Sequence, residues 1–321
     1  MGLTKTRELV KEMFVQALSN ERLPWQMPWQ NHLMYNPKSG TIYSGINQFV
    51  LSYIAGSRGY EDPRWLTFNQ IAKSPDLHLM KGSKGAPVEY WAIYDKLAKK
   101  NISLIDKIKV CAADPSREED MVLKGRTYYV FNGQCIEGMP PVPEIDNGTM
   151  ANQQCEHFVQ TYCENTNTTI IHSGDSAFYR PATDEIYIPN IQRFKDQGFY
   201  YGTLTHEIAH STMHPSRLNR DAKGLYGSED YAIEELRAEI ASTFMQSYLP
   251  VEFDEKHAVE HIAYVQSWLN AVNKDENVLF RSIKDAEKIS DYMCEMGGIN
   301  LNEMIQDSLI PEKEKEQQLI L

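Results

Sequence analysis

The chain has 321 residues, of which 42% are hydrophobic and 24% are charged, and its formal net charge is −12. This composition is typical of a soluble globular protein with room for two domains, and no apolar run approaches the roughly 18 residues of a membrane span. The charge is unevenly distributed, because residues 1–140 carry 18 lysines and arginines against 14 acidic residues, whereas the remainder carries 14 against 30. The first part therefore suits a polyanionic partner and the second part does not.

The cysteines indicate the redox setting. There are five, an odd number, and no two of them form a CxxC pair. They match neither a disulfide framework nor a cysteine-rich zinc site. Together with the lack of a signal-peptide pattern, this favours a reducing cytoplasm.

In chain order, residues 1–140 predict an α+β domain. The amphipathic N-terminal segment predicts a helix that ends near Leu23, the run NPKSG predicts a turn, and residues 46–55 predict a second helix. The segment DPRWLTFNQIAKS predicts a third helix, with Thr67 marking its start. Aromatic and β-branched residues in HLMKGSKGAPVEYWAIYDK and RTYYVFNGQC predict strands.

A polar, proline-rich stretch at residues 141–154 predicts a linker between two domains. Residues 155–310 then predict a helix, a small sheet that includes a hairpin in AFYRPATDEIYIP, and a long helical remainder. Residues 311–321 predict a charged tail. A small sheet followed by a histidine-bearing helix and further helices is the layout of a zincin, so the predicted fold is α+β with two domains.

The stretch YYGTLTHEIAHSTMHPSRL carries the main chemical motif. His206 and His210 are four residues apart, so on a helix they face the same side and can bind one ion. Glu207, beside the first histidine, is placed to act as a general base toward a water that the metal activates. The spacing HExxH therefore predicts a site for one zinc ion. His214 lies one turn further, where a proline indicates that the helix is ending.

The third ligand is expected from the acidic helix YAIEELRAEIAS. Glu235 and Glu239 form an i, i+4 pair, so Glu235 is favoured as the ligand and Glu239 as a residue that orients a ligand histidine. Glu234 and Glu239 remain alternative ligands at this stage.

The first half interleaves cations with aromatic rings, the combination that holds single-stranded nucleic acid. Any one tryptophan in such runs is more often a core residue than a base-stacking platform. The basic turn MKGSKG offers lysines and backbone amides to phosphates. The candidate DNA-contacting residues are Trp25, Trp29, Tyr43, Asn47, Arg64, Trp65, Lys81 and Lys84.

These segments together resemble the ArdC-type antirestriction proteins of conjugative plasmids and transposons, a family that includes the N-terminal region of some plasmid primases. The matching runs include LPWQMPW, YSGINQFVL, MKGSKGAPVEYW, YYGTLTHEIAHSTMHPSRLNRD and YGSEDYAIEELRAEIASTFM, in order along nearly the whole chain. One departure is HSTMHPSRL, where the family pattern leads us to expect a Trp-Thr-Gly-like run.

The resemblance implies an N-terminal domain that binds single-stranded DNA and a C-terminal zincin-like metallopeptidase domain. It places the metal ligands on His206, His210 and the glutamate of EELRAE, with Glu207 as the base. The implied role is protection of incoming mobile DNA, with a host restriction protein or another peptide as a possible substrate and no membrane partner. The alternatives are a metalloprotease whose first half recognises a protein, and a zincin fold whose metal is structural. An intact Glu207 argues against the last, because a structural site needs no general base.

Overall fold

The structure, a computed structural model, describes residues 4–20, 32–142, 150–220, 229–249, 255–306 and 309. It has the predicted α+β class and the two-domain arrangement. Among the helices that it describes, none combines the length and the hydropathy of a membrane span.

The first half is built around an antiparallel sheet. Its elements are α1 (Lys5–Ser19), β1 (Tyr35–Asn36), β2 (Thr41–Ile42), α2 (Gly45–Arg58), β3 (Trp65–Thr67), α3 (Phe68–Ala72), β4 (His78–Leu79), β5 (Ala86–Asp95), β6 (Lys100–Ile102), α4 (Leu104–Ala113), β7 (Met121–Asn132) and β8 (Ile136–Glu137). The main sheet has the order β3-β7-β5-β6, and two short pairs, β1-β2 and β4-β8, flank it. The pairing of β5 with β7 runs from Ala86 opposite Val130 to Asp95 opposite Met121.

The first half departs from the local predictions at the end of α1 and at elements that were not predicted. Helix α1 ends at Ser19 rather than near Leu23. The third predicted helix begins at Phe68, directly after its predicted start at Thr67, and Trp65–Thr67 before it pairs with β7 as strand β3. Thr67 does mark the helix start, through a capping box with Gln70. Strand β6 and helix α4 lie where no element was predicted.

The second half combines a small sheet with long helices. Its elements are α5 (Met150–Thr166), β9 (Thr169–His172), β10 (Phe178–Arg180), β11 (Glu185–Ile188), α6 (Gln197–Ser211), α7 (Glu229–Gln246), α8 (Glu255–Lys274), α9 (Asn277–Gly297) and α10 (Leu301–Ile305). The sheet order is β10-β11-β9, with β10 antiparallel and β9 parallel to β11. Helix α5 begins inside the predicted linker, because MANQQ is compatible with a helix that continues through Cys155.

The two halves share one hydrophobic core. Helix α1 buries the stripe formed by Val10, Phe14 and Leu18, which belongs to the same cluster as Trp268 of α8 and the apolar residues of α9. Polar contacts reinforce this junction: the Lys11 ammonium lies 2.6 Å from a Glu276 carboxylate oxygen. The domains therefore pack as one body over this surface instead of being joined only by a linker.

Candidate metal centre

The motif histidines lie on α6, whose rotation is fixed by its apolar residues. The Asp196 side chain caps the N-terminus of the helix. Leu204 and Ile208, one turn apart, are fully buried and belong to the main core. His206 and His210 are thereby held against α7, the helix that carries the predicted third ligand.

Three potential ligand atoms converge between α6 and α7. His206 Nε2 and His210 Nε2 lie 3.0 Å apart. Glu235 completes the group, with Oε2 at 3.6 Å from His206 Nε2 and Oε1 at 3.5 Å from His210 Nε2. All three side chains are buried. The structure thus brings together the three residues that the sequence selects as metal ligands.

These separations are those required by a small tetrahedral ion. Metal–ligand bonds of about 2.0–2.1 Å place the ligand atoms of a tetrahedral site about 3.3–3.4 Å from one another. The observed 3.0, 3.5 and 3.6 Å bracket that value. Two imidazole nitrogens and one carboxylate oxygen also form the donor set of a catalytic metal site that leaves one position open. The donor set and its spacing therefore fit one metal ion.

A second carboxylate lies behind each histidine. Glu239 Oε1 is 3.5 Å from His206 Nδ1, and Glu234 Oε1 is 3.6 Å from His210 Nδ1. Such partners keep the proton on Nδ1, so that Nε2 is free to bind a metal. The Arg220 guanidinium in turn lies 2.5 Å from Glu234.

The position of Glu234 was not foreseen, since the sequence left it as an alternative ligand. Neighbouring residues on a helix point about 100° apart, so only one of the two glutamates can face the histidine Nε2 atoms, and the packing of α7 against α6 decides which. With Glu235 facing the histidine Nε2 atoms, Glu234 reaches the far side of His210 instead.

The electrostatics of this cluster favour a bound cation. Burial disfavours a charged imidazole, but Glu235 and Glu234 outweigh it and raise the pKa of His210 well above its ordinary value. Burial also opposes ionisation of Glu234, yet His210 and Arg220 lower its pKa to about 2. The glutamates therefore stay anionic and attract positive charge to the histidines.

Glu207 lies in the same buried environment, but its pKa is raised, whereas that of Glu234 is lowered. Burial raises the pKa of Glu207, although His206, His210 and a hydrogen bond from the Tyr179 backbone act in the opposite direction. Tyr179 belongs to β10, so the sheet and the metal centre meet at this carboxylate. A carboxylate with a raised pKa can accept and hold a proton near neutral pH.

Three of the predicted DNA-contacting residues are corrected by their burial. Trp65 is fully buried, with its Nε1 donating to Met34 Sδ, and Tyr43 is also in the core. Arg64 is 2% exposed and its guanidinium is held by both carboxylate oxygens of Asp62. A base or a phosphate cannot reach these groups without opening the core, so they are structural residues.

The remaining candidate DNA-contacting residues differ in their structural setting. Asn47 binds the backbone N–H and C=O of Glu89 through its amide and thereby ties α2 to β5. Lys81 and Lys84 are exposed in the turn before β5. Trp25 and Trp29 lie outside the described residues.

Two family models match the chain. Residues 4–131 match the N-terminal domain of anti-restriction factor ArdC, and residues 157–285 match a zincin-like metallopeptidase. Two solved structures of the antirestriction ArdC protein from the R388 plasmid share this fold. The metal-free structure has a TM-score of 0.69 and 27% identity, over 92% of this chain and 98% of that one. The Mn(II)-bound structure has a TM-score of 0.66 and 29% identity, over 91% and 97%.

Curated relatives extend the comparison. Two proteins described as DNA primase TraC from Escherichia coli are 36% and 38% identical over 89% of this chain. The chain spans only 27% and 20% of the length of those primases. An uncharacterized protein, y4eC, from Sinorhizobium fredii (strain NBRC 101917 / NGR234) is 29% identical over 90% of this chain and 92% of its own.

Proposed function

Because the chain belongs to the ArdC-type antirestriction family, with an ArdC N-terminal domain followed by a zincin-like metallopeptidase domain, we propose that it binds single-stranded DNA of a mobile genetic element and protects it from restriction. The metal centre adds a peptidase-type activity to that role. The single observation that carries the enzymatic part is the buried triad of His206, His210 and Glu235 at tetrahedral spacing, with Glu207 beside it.

We propose one zinc ion as the metal, held by His206 Nε2, His210 Nε2 and the Glu235 carboxylate. Nitrogen and oxygen ligands with an open position suit zinc, while the relative from the R388 plasmid was solved with Mn(II). When bound, the ion supplies Lewis acidity to a water and to a peptide carbonyl. The choice of zinc is tested by measuring the metal content of protein purified from cells that were grown without added manganese.

The protein's own groups would handle the proton. The Glu207 carboxylate would accept it from the attacking water and pass it to the leaving amine, for which a pKa raised by burial is suited. The Tyr179 N–H holds that carboxylate in position. Glu239 and Glu234 would keep the ligand histidines in the tautomer with the proton on Nδ1.

The small sheet offers a place for a peptide. Strand β10 pairs with β11 on one side, and within the described residues no strand pairs with its other side. An extended peptide can add to such an edge through backbone hydrogen bonds. Because Tyr179 of this strand also contacts Glu207, a peptide bound there would lie next to the general base. A host restriction protein is the substrate that an antirestriction role would favour.

The DNA-binding part of the proposal rests on the charge of the first half and its family match. Residues 1–140 carry an excess of four positive charges, whereas the metal-binding half is strongly acidic. Lys81 and Lys84 are exposed and remain proposed phosphate contacts. Trp25 and Trp29 remain proposed stacking residues.

Fluorescence anisotropy with a labelled oligothymidylate tests the DNA-binding role on the full chain. We expect binding that weakens steeply with salt, because phosphate contacts release counterions, and weaker binding to a duplex of equal length. A full-length protein that stays folded but binds no oligonucleotide even at low salt would refute the proposal.

In that case the alternative function, a metalloprotease whose first half recognises a protein, would be favoured. One structural observation is compatible with it. Helix α4 exposes Leu104, Ile105 and Ile108, each by 60% or more. An apolar stripe of this kind suits a protein partner. Glu207→Gln tests the enzymatic part under either reading: it should leave metal content unchanged and remove cleavage of a true substrate.

A further inference from the structure

One face of the β5–β7 strand pair carries tyrosines and cations. Residues directly opposite in an antiparallel pair point to the same side of the sheet, and alternate residues along a strand share that side. Tyr90 is opposite Arg126, and the next pairs on this face bring in Tyr128 and Lys124. Tyr94 follows on β5. These five residues, Tyr90, Tyr94, Lys124, Arg126 and Tyr128, are called the tyrosine face below.

The rings of the tyrosine face are accessible and adjacent. Tyr90 and Tyr128 are 57% and 43% exposed, and their centroids lie 6.3 Å apart in an edge-to-face arrangement. The Lys124 ammonium lies 3.2 Å from the centre of the Tyr94 ring. A single exposed tyrosine is unremarkable, but neighbouring rings interleaved with cations form the pattern that binds single strands.

The two cations of the tyrosine face are not neutralised by carboxylates. Neither Lys124 nor Arg126 forms an ion pair with a carboxylate in the described part of the chain, whereas Arg7 pairs with Glu89 and Arg117 pairs with Asp95 and Asp120. The acidic residues of β5, Glu89 and Asp95, belong to the opposite face of the strand pair and are buried. Because the paired residues of the tyrosine face include no acidic side chain, its local charge is positive.

We propose that the tyrosine face is the surface on which single-stranded DNA lies, an inference that rests on the proposed DNA-binding function. Bases stack on Tyr90 and Tyr128, while Lys124 and Arg126 contact the phosphates. The face extends from Tyr128, opposite Val88, to Tyr94, a length of roughly 20 Å. Lys84 is exposed and precedes β5 at the end of the strand that is nearer to Tyr128.

Two adjacent tyrosines of β7 provide a matched comparison. Tyr128 belongs to the tyrosine face, whereas Tyr129 points to the opposite face and is equally accessible at 46% exposed. In the full chain, Tyr128→Ala should weaken binding of an oligothymidylate about tenfold, since a stacked base contributes about 1–3 kcal/mol. Tyr129→Ala should leave the affinity within about twofold of the wild-type value. Tyr128→Phe should bind like the wild type, because stacking requires the ring and not the hydroxyl.

A second measurement addresses the cations. Lys124→Gln combined with Arg126→Gln should reduce the slope of log Kd against log salt by about 1.4, or about 0.7 for each lost contact to a single strand. Melting temperatures equal to that of the wild type establish that all variants are folded.

The outcomes separate this inference from the proposed function. If the wild type binds DNA but Tyr128→Ala and Tyr129→Ala behave alike, the tyrosine face is not the binding surface, although the DNA-binding function stands. If the folded wild type binds no oligonucleotide, the proposed DNA-binding function and the tyrosine-face inference are both refuted.

Discussion

Replacing Glu239 by glutamine tests whether the outer carboxylates hold the metal ligands in place. The change keeps the size of the side chain and removes one negative charge 3.5 Å from His206 Nδ1. It leaves all three proposed ligands intact. Any loss of metal affinity must therefore act through the orientation and basicity of His206.

The expected loss is about tenfold. Outer carboxylates of this kind typically contribute about 10–100-fold in metal affinity. The Nδ1–Oε1 distance of 3.5 Å exceeds the roughly 2.7–2.9 Å of a strong charge-assisted hydrogen bond, which places Glu239 at the lower end of that range. Glu235→Gln, which alters a ligand, should lose well over 100-fold. Competition with a chelator of known affinity measures both losses.

Glu118→Gln serves as the control, because Glu118 is 70% exposed in the first half and should leave affinity unchanged. If Glu239→Gln bound the metal as tightly as the wild type, Glu239 would not orient His206. If it lost as much affinity as Glu235→Gln, the ligand assignment itself would be wrong.

Further predictions concern the core, the pH dependence and the junction. Trp65→Ala should lower the free energy of unfolding by about 3–5 kcal/mol in urea titrations, with unchanged DNA affinity per folded molecule; a stable variant with selectively poor DNA binding would restore a stacking role. Metal affinity should rise with pH through the raised pKa of His210 and then level, because the ion must displace its proton; a flat affinity profile would contradict this. A fragment of residues 1–140 should aggregate in gel filtration, because it uncovers the apolar stripe of α1; a monodisperse, folded fragment would show that the shared core is dispensable.

The convergence of His206, His210 and Glu235 could be predicted because its signals are largely local. Two histidines four residues apart determine their own geometry once a helix forms, and the zincin layout supplies an acidic helix for the third ligand. The choice of Glu235 over Glu234 rests on which face of α7 meets α6, and this depends on packing between helices that no single-helix pattern records.

Candidate DNA-contacting residues were harder to select from the sequence for a different reason. Tryptophan and arginine in a sequence run are compatible with both a core and a binding surface, and Trp65 and Arg64 turned out to be core residues. The tyrosine face depends on the register that sets Tyr90 opposite Arg126, 36 positions later in the chain. Strand β3 depends on a pairing of the same kind, between Trp65–Thr67 and β7, and no strand was predicted there.

The junction between the halves also sets the order in which this protein can fold during synthesis. Lys11 of α1 is separated by 265 positions from Glu276, its partner beside α9. At a synthesis rate of about 5–20 residues per second, the apolar stripe of α1 is made roughly 13–50 s before the helices that cover it. Helix α1 therefore completes its packing well after its own synthesis, and during that interval its exposed side chains are available to chaperones or to other nascent chains.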